Sequence, residues 1–74
     1  MAGDVFKGIT IVGISNESFS HAIEVAVERA KQTIRELRWF QVVEQRGALR
    51  DGRIEYQVTL EVFFKLMRED STGA

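Results

Sequence analysis

From Val5 to Gly13 the chain reads V-F-K-G-I-T-I-V-G, with Ile9 and Ile11 alternating with Thr10 and Val12. A period of two in a β-branched run predicts a strand, with Val5, Lys7, Ile9 and Ile11 on one face and Gly13 closing it. Lys7 lies near the end, where its ammonium reaches water. Ile14-Ser15-Asn16-Glu17-Ser18 then predicts a helix start. Ser15 or Asn16 can accept a hydrogen bond from an orphan N–H, and Glu17 suits the positive end of the helix dipole. From Ser18 to about Leu37 the period changes. Phe19, Ile23, Ala26, Val27, Ala30, Ile34 and Leu37 trace one stripe, and Glu24, Glu28, Lys31, Gln32 and Arg35 occupy the opposite face. This spacing predicts one amphipathic helix of about 20 residues.

Trp39 to Arg46 returns to a strand pattern, with Phe40 and Val42 on one face and Trp39, Gln41, Val43 and Gln45 on the other. Gly47 and Asp51-Gly52 bracket the next connection, and Asp-Gly is a strong hairpin-turn signal. Arg53 to about Met67 predicts a long third strand. Ile54, Tyr56, Val58, Leu60, Val62, Phe64 and Leu66 form its apolar face; Glu55, Gln57, Thr59, Glu61, Phe63 and Lys65 form the other. The β-α-β-β order predicts an α+β fold, a three-stranded antiparallel sheet wrapped around one amphipathic helix, with the third strand in the middle. The helix stripe should pack on Phe40, Val42, Tyr56, Val58, Leu60 and Val62. The helix-free face carries Trp39, Val43, Phe63 and Gln57, too apolar to rest in water. Another subunit, a ligand, or both should cover it.

Composition narrows this further. The chain has 74 residues, which accommodates a single domain over residues 1–74, with 1–4 and 68–74 expected to be flexible. A domain of this size buries only about 60% of its unfolded surface, so its own core is marginal. There is no cysteine to staple it or to form a thiolate metal site, and a single histidine makes no metal cluster within one chain. Oligomerisation is the remaining common stabiliser. The net charge of −1, from 10 basic and 11 acidic residues spread along the chain, supplies no nucleic-acid footprint. No apolar run approaches the roughly 18 residues of a membrane span, and Met1-Ala2-Gly3-Asp4 has no apolar signal region, so the protein reads as cytoplasmic.

No phosphate loop and no nucleophile with a base at a recognisable spacing appears. Ser15, Ser18 and Ser20 are explained by the helix start, and His21 as a solvated surface residue without a catalytic partner. Trp39 has two readings, an aromatic that packs a sheet or interface and a stacking platform for a planar ring. Gln57 also has two. It is a solvated amide on an open sheet face, or a group whose acceptor and donors read the edge of a heterocycle.

At these residues the chain resembles the dodecin family of small flavin-binding proteins. The likeness runs from about Val5 to Leu66 through V-G-I-S-N-E-S-F, E-R-A-K-Q-T-I-R-E-L-R-W-F-Q-V, Q-R-G and E-Y-Q-V-T-L-E-V-F-F-K-L. The resemblance implies a subunit of a hollow homododecamer with 23 symmetry, binding flavins in pairs at subunit interfaces. It implies that Trp39 stacks on the isoalloxazine ring and that Gln57 hydrogen-bonds its edge. Arg46 and Lys65 match basic residues that hold the phosphate in members preferring FMN, although Lys65 stands where an arginine is common. Phe63 stands where a glycine is frequent, a departure that bears on the pocket's width and on which flavin fits. Lys7, Arg29 and Thr33 match positions in members that also bind coenzyme A. The implied function is non-enzymatic: flavin storage and sequestration with quenching by tryptophan, FMN being the leading ligand and riboflavin and FAD the others. The alternative from another class is a self-assembling structural or interaction module without a cofactor. A flavin-dependent enzyme is a third reading, and no acid–base pair accompanies the pocket to support it.

Overall fold

The computed structural model describes residues 3–67. Four elements follow one another: β1 (Phe6–Ser15), α1 (Phe19–Thr33), β2 (Leu37–Arg50) and β3 (Arg53–Lys65). The strands form one antiparallel sheet in the order β1-β3-β2. This is the expected α+β arrangement, with the third strand central and one helix on one face. Of the ends expected to be flexible, residues 1–2 and 68–74 lie outside the described residues. Asp4 approaches Lys65, Oδ1 to Nζ, at 3.4 Å.

The core lies between α1 and the middle of the sheet. Ala22, Ala26 and Ala30 repeat every four residues along the buried side of α1, and Ala22 and Ala26 form one cluster with Val58, Leu60 and Val62 of β3. Small side chains let the helix axis come close to the strands, and Gly13 extends that logic to β1. A Cβ at Gly13 would collide with the carbonyl oxygen of Ala22 and lie 2.8 Å from the Ala26 Cβ. Gly13 therefore does not end β1; it is where the strand passes beneath the helix, and β1 runs on to Ser15. Leu60 is fully buried at the centre of this layer. Leu60→Ala is expected to cost about 3 kcal/mol, read as a lower urea midpoint.

The helix is shorter than its hydrophobic period suggested. Its N-cap is Ser18, neither Ser15 nor Asn16: Ser18 is extended, and its Oγ accepts from the His21 N–H at 2.9 Å. The Ser15 Oγ accepts from the Glu17 N–H at 2.8 Å and shares a 2.7 Å hydrogen bond with His21 Nδ1. His21 is thus half-buried and tied to a buried serine, not the free surface residue expected. At the other end α1 stops at Thr33 instead of near Leu37. Ile34 is already extended, with φ −114° and ψ 122°, and its N–H bonds the Ala30 carbonyl. Glu36 takes φ 60°, the left-handed turn that sends the chain into β2. Ile34 and Leu37 still pack against the core, so they kept the helical period without being helical.

β2 and β3 form a long hairpin, longer than expected on the β2 side. Gly47 does not mark the connection; it sits inside β2 opposite Tyr56, and pairing continues to Arg50↔Arg53. Asp51 and Gly52 have φ 54° and 76°, the pair of positive values a type I′ turn requires. A turn that tight carries the ladder right up to it. β3 stops at Lys65, short of Met67. The hairpin makes the chain elongated, 55 × 19 × 16 Å. α1 lies over β1 and β3 and barely reaches β2. Phe40 and Val42 occupy the helix side as expected but remain 44% and 40% exposed, because the shorter helix does not cover them.

Two register shifts in β2 decide which residues face which way. Leu37 pairs with Phe64 and Trp39 with Phe63, so Arg38 is bulged and Leu37 turns inward while Trp39 turns to the helix-free face. Val42 pairs with Leu60 and Glu44 with Thr59, so Val43 is bulged and the alternation inverts beyond it. Gln45, expected beside Trp39, lies opposite buried Val58 on the helix side. Arg46 comes to the helix-free face, opposite Gln57.

Candidate functional site

The helix-free face holds Trp39, Gln57, Arg46 and Lys65, all four residues singled out from the sequence, but it holds them in two groups. The first is aromatic. Trp39 lies across from Phe63 in the β2–β3 ladder, and Phe63 lies across from Gly8 in the β3–β1 ladder. The Trp39 and Phe63 rings stack with centroids 4.8 Å apart and an interplanar angle of 16°. Phe6 meets Trp39 edge-on at 4.9 Å and 61°. One face of the indole is therefore occupied from within the chain, while Trp39 as a whole stays 46% exposed. Lys65 is one pair further along, opposite Phe6, with its ammonium on Asp4. Its backbone N–H bonds the Glu36 carbonyl at 3.0 Å.

The second group is polar. Arg46 Nε donates to Gln57 Oε1 at 2.7 Å, and Gln57 Nε2 donates to Glu55 Oε1 at 3.0 Å. The other carboxylate oxygen of Glu55 meets Arg50 Nε at 3.2 Å. A cation on one side and a carboxylate on the other orient the amide, its oxygen toward arginine and its nitrogen toward glutamate. One acceptor site and one N–H of Gln57 are left for a ligand edge. Ile14 and Val12 on the neighbouring strand, opposite Gln57 and Thr59, are exposed and give this end an apolar floor.

Gln57 and Phe63, the partner of Trp39, are six residues apart on β3, which at strand rise is about 20 Å. Within one chain no single planar ring can lie on Trp39 and also touch Gln57. Arg46 and Lys65 are separated in the same way, at opposite ends of the face. The aromatic and the polar group are therefore separate within one chain.

Phe6, Gly8 and Glu55 complete the two groups and were not singled out from the sequence. The alternation placed Glu55 on this face, but its role depends on the register that sets Arg46 opposite Gln57. Elsewhere, Arg29 and Thr33 line an open groove of about 820 Å³ between α1 and β1, while Lys7 is not part of its lining. The Arg38 guanidinium, hydrogen-bonded to Glu36 at 2.7 Å, holds that carboxyl below the usual range. Among the described residues no group of three or more His, Cys, Asp or Glu could hold a metal ion, and no helix is long and apolar enough to cross a membrane.

Comparison with known proteins gives concordant results. The dodecin family model matches residues 5–67. A dodecin from Thermus thermophilus is 46% identical over 65 residues, covering 86% of this chain and 94% of that protein. A protein from Mycobacterium tuberculosis named calcium dodecin is 40% identical over 63 residues, covering 84% of this chain and 89% of that protein. Among solved structures, dodecin from Streptomyces davaonensis is 43% identical and superposes with a TM-score of 0.84, over 90% of this chain and all of that one.

Proposed function

The chain belongs to the dodecin family, and from that premise we propose that it is a non-enzymatic flavin-binding and storage protein. The observation that carries this reading is the indole of Trp39. It stands on the helix-free face, stacked on Phe63 and met by Phe6, with nearly half of the residue still exposed. Such a surface suits a planar, electron-poor heterocycle. When bound, a flavin supplies a ring that absorbs visible light and accepts electrons. Trp39 in face contact with it would quench its excited state, and Gln57 of another copy would hydrogen-bond the ring edge. Sequestration needs only these contacts.

The assembly is a homododecamer of 23 symmetry in this reading, with flavins held in pairs where two copies meet. Support comes from the separation of Trp39 and Gln57 and from the apolar residues exposed on both faces of β2. FMN is the preferred ligand. Arg46 and Lys65 face the same side as Trp39, and their present partners are exposed polar contacts of little net worth, readily exchanged for a phosphate. The calcium named for the mycobacterial relative has no counterpart cluster among the described residues.

Titration of flavin-free protein with riboflavin and FMN, followed by flavin fluorescence, tests the proposal. Both flavins should be quenched, FMN at lower concentration, and emission that stays unquenched at micromolar protein contradicts it. Gln57→Leu keeps most of the side-chain volume, removes the amide and takes one hydrogen-bond partner each from Arg46 and Glu55. It is expected to weaken flavin binding about tenfold (about 1.4 kcal/mol) while leaving the quench of bound ligand in place. A second reading, an assembly module without cofactor, is favoured by exposed Val12, Ile14, Phe40 and Val42, which need covering whether or not a ligand binds. That reading predicts the same oligomer with no flavin response.

A further inference from the structure

Phe63 enters the proposed function only as the ring against which Trp39 stacks. It lies on the central strand, directly between Gly8 of β1 and Trp39 of β2. Its ring leans over Gly8: a Cβ there would come within 2.7 Å of Phe63 Cε2 and 2.6 Å of Glu61 Oε2. The glycine thus leaves a recess that the phenyl ring fills, and the indole of Trp39 lies nearly parallel on that ring. Phe6 adds a T-shaped contact to the same indole. A tryptophan on an edge strand has several open rotamers on a flat sheet. Here the row Gly8–Phe63–Trp39 gives it a seat.

We propose that Phe63 is a positioning residue for the ligand site: it backs one face of Trp39, holds the indole across the sheet, and confines ligand stacking to the opposite face. This rests on the reading of Trp39 as the stacking residue. The physical reasoning is pre-organisation. A stacked aromatic neighbour removes side-chain freedom that a ligand would otherwise have to remove on binding. It also occupies the face on which a second ring could intercalate.

Trp39 is the only tryptophan, so near-ultraviolet circular dichroism and the emission maximum report on it alone, without any ligand. In flavin-free protein, Phe63→Ala is expected to weaken the near-ultraviolet signal and shift emission to the red, at an almost unchanged urea midpoint because Phe63 lies outside the core. Riboflavin affinity should fall about three- to tenfold, with Phe63→Tyr restoring both readouts. Gly8→Ala, which displaces the phenyl ring without removing it, should move them in the same direction as Phe63→Ala. An unchanged tryptophan signal in Phe63→Ala overturns the proposal, as does unchanged or tighter riboflavin binding, or two flavins per subunit in place of one. Failure of wild-type protein to bind any flavin would instead refute the functional reading, and the ligand-free spectra would still decide the role of Phe63.

Discussion

Trp39→Ala is expected to abolish flavin quenching and to weaken flavin binding at least thirtyfold (about 2 kcal/mol). The side chain does two things at once. In the proposed function it supplies the apolar surface for the flavin ring, and it is the only indole in the chain, so no other tryptophan could take over the quench. Its removal also uncovers Phe63, which at 4.8 Å now shields one face of the indole. A phenyl ring recovers part of the stacking area but little of the electron richness. Trp39→Phe should therefore bind more weakly than wild type yet better than Trp39→Ala, with the bound flavin remaining fluorescent. The fold should survive both changes, because Trp39 lies on the face away from the α1 core and is nearly half exposed. Flavin fluorescence titrations of the two variants, with their far-ultraviolet circular dichroism as a check on folding, read all of this directly.

Gly13→Ala is expected to destabilise the subunit by about 3 kcal/mol, toward the upper end of what a single added methyl costs in a packed layer. Two obstacles meet the new Cβ, and one of them is backbone, the carbonyl oxygen of Ala22. A side chain can rotate away; a helical carbonyl moves only with its helix. α1 would have to lift from β1, opening the contacts of Ala22 and Ala26 with Val58 and Leu60. Gly47→Ala is the matched control. It lies in a strand too, but the nearest atom to its added Cβ is 4.0 Å away, so its effect should stay within about 0.5 kcal/mol. Urea unfolding of the two variants followed by Trp39 emission separates them. Equal midpoints would show that the approach of α1 to β1 is not what holds the layer together.

Much of this architecture was legible in the residues. Period two and period 3.6 located every element, and the Asp51-Gly52 turn, the continuous apolar face of β3 and the placement of Trp39, Gln57 and Phe63 on the helix-free face all followed from alternation. What escaped has specific causes. Alternation cannot register a bulge. Strict parity carries Gln45 to the Trp39 side and Arg46 to the core side, and the bulge at Val43 reverses both. Ile34 and Leu37 continue the helical spacing because they still face the core, although the chain has turned at Glu36. Ala22 carries little hydrophobic weight in a sequence pattern. It is nonetheless fully buried, because the close approach of helix to sheet admits only a small side chain.

The distance between the aromatic and the polar group is likewise invisible to face assignment. Trp39 and Gln57 share a face, and sharing a face says nothing about being six residues apart along the ladder. Only the pairing Trp39↔Phe63 and Arg46↔Gln57 reveals how far apart the two groups lie within one chain. The proposed function accordingly depends on assembly more strongly than the aromatic residue alone would suggest. A ligand here is predicted to be a property of the oligomer and not of the subunit.

Native mass spectrometry of protein saturated with FMN tests that dependence most directly. The expected spectrum shows twelve-subunit particles carrying flavin, with dissociated subunits free of it. Flavin retained on single subunits, or twelve-subunit particles that carry none, would contradict the account.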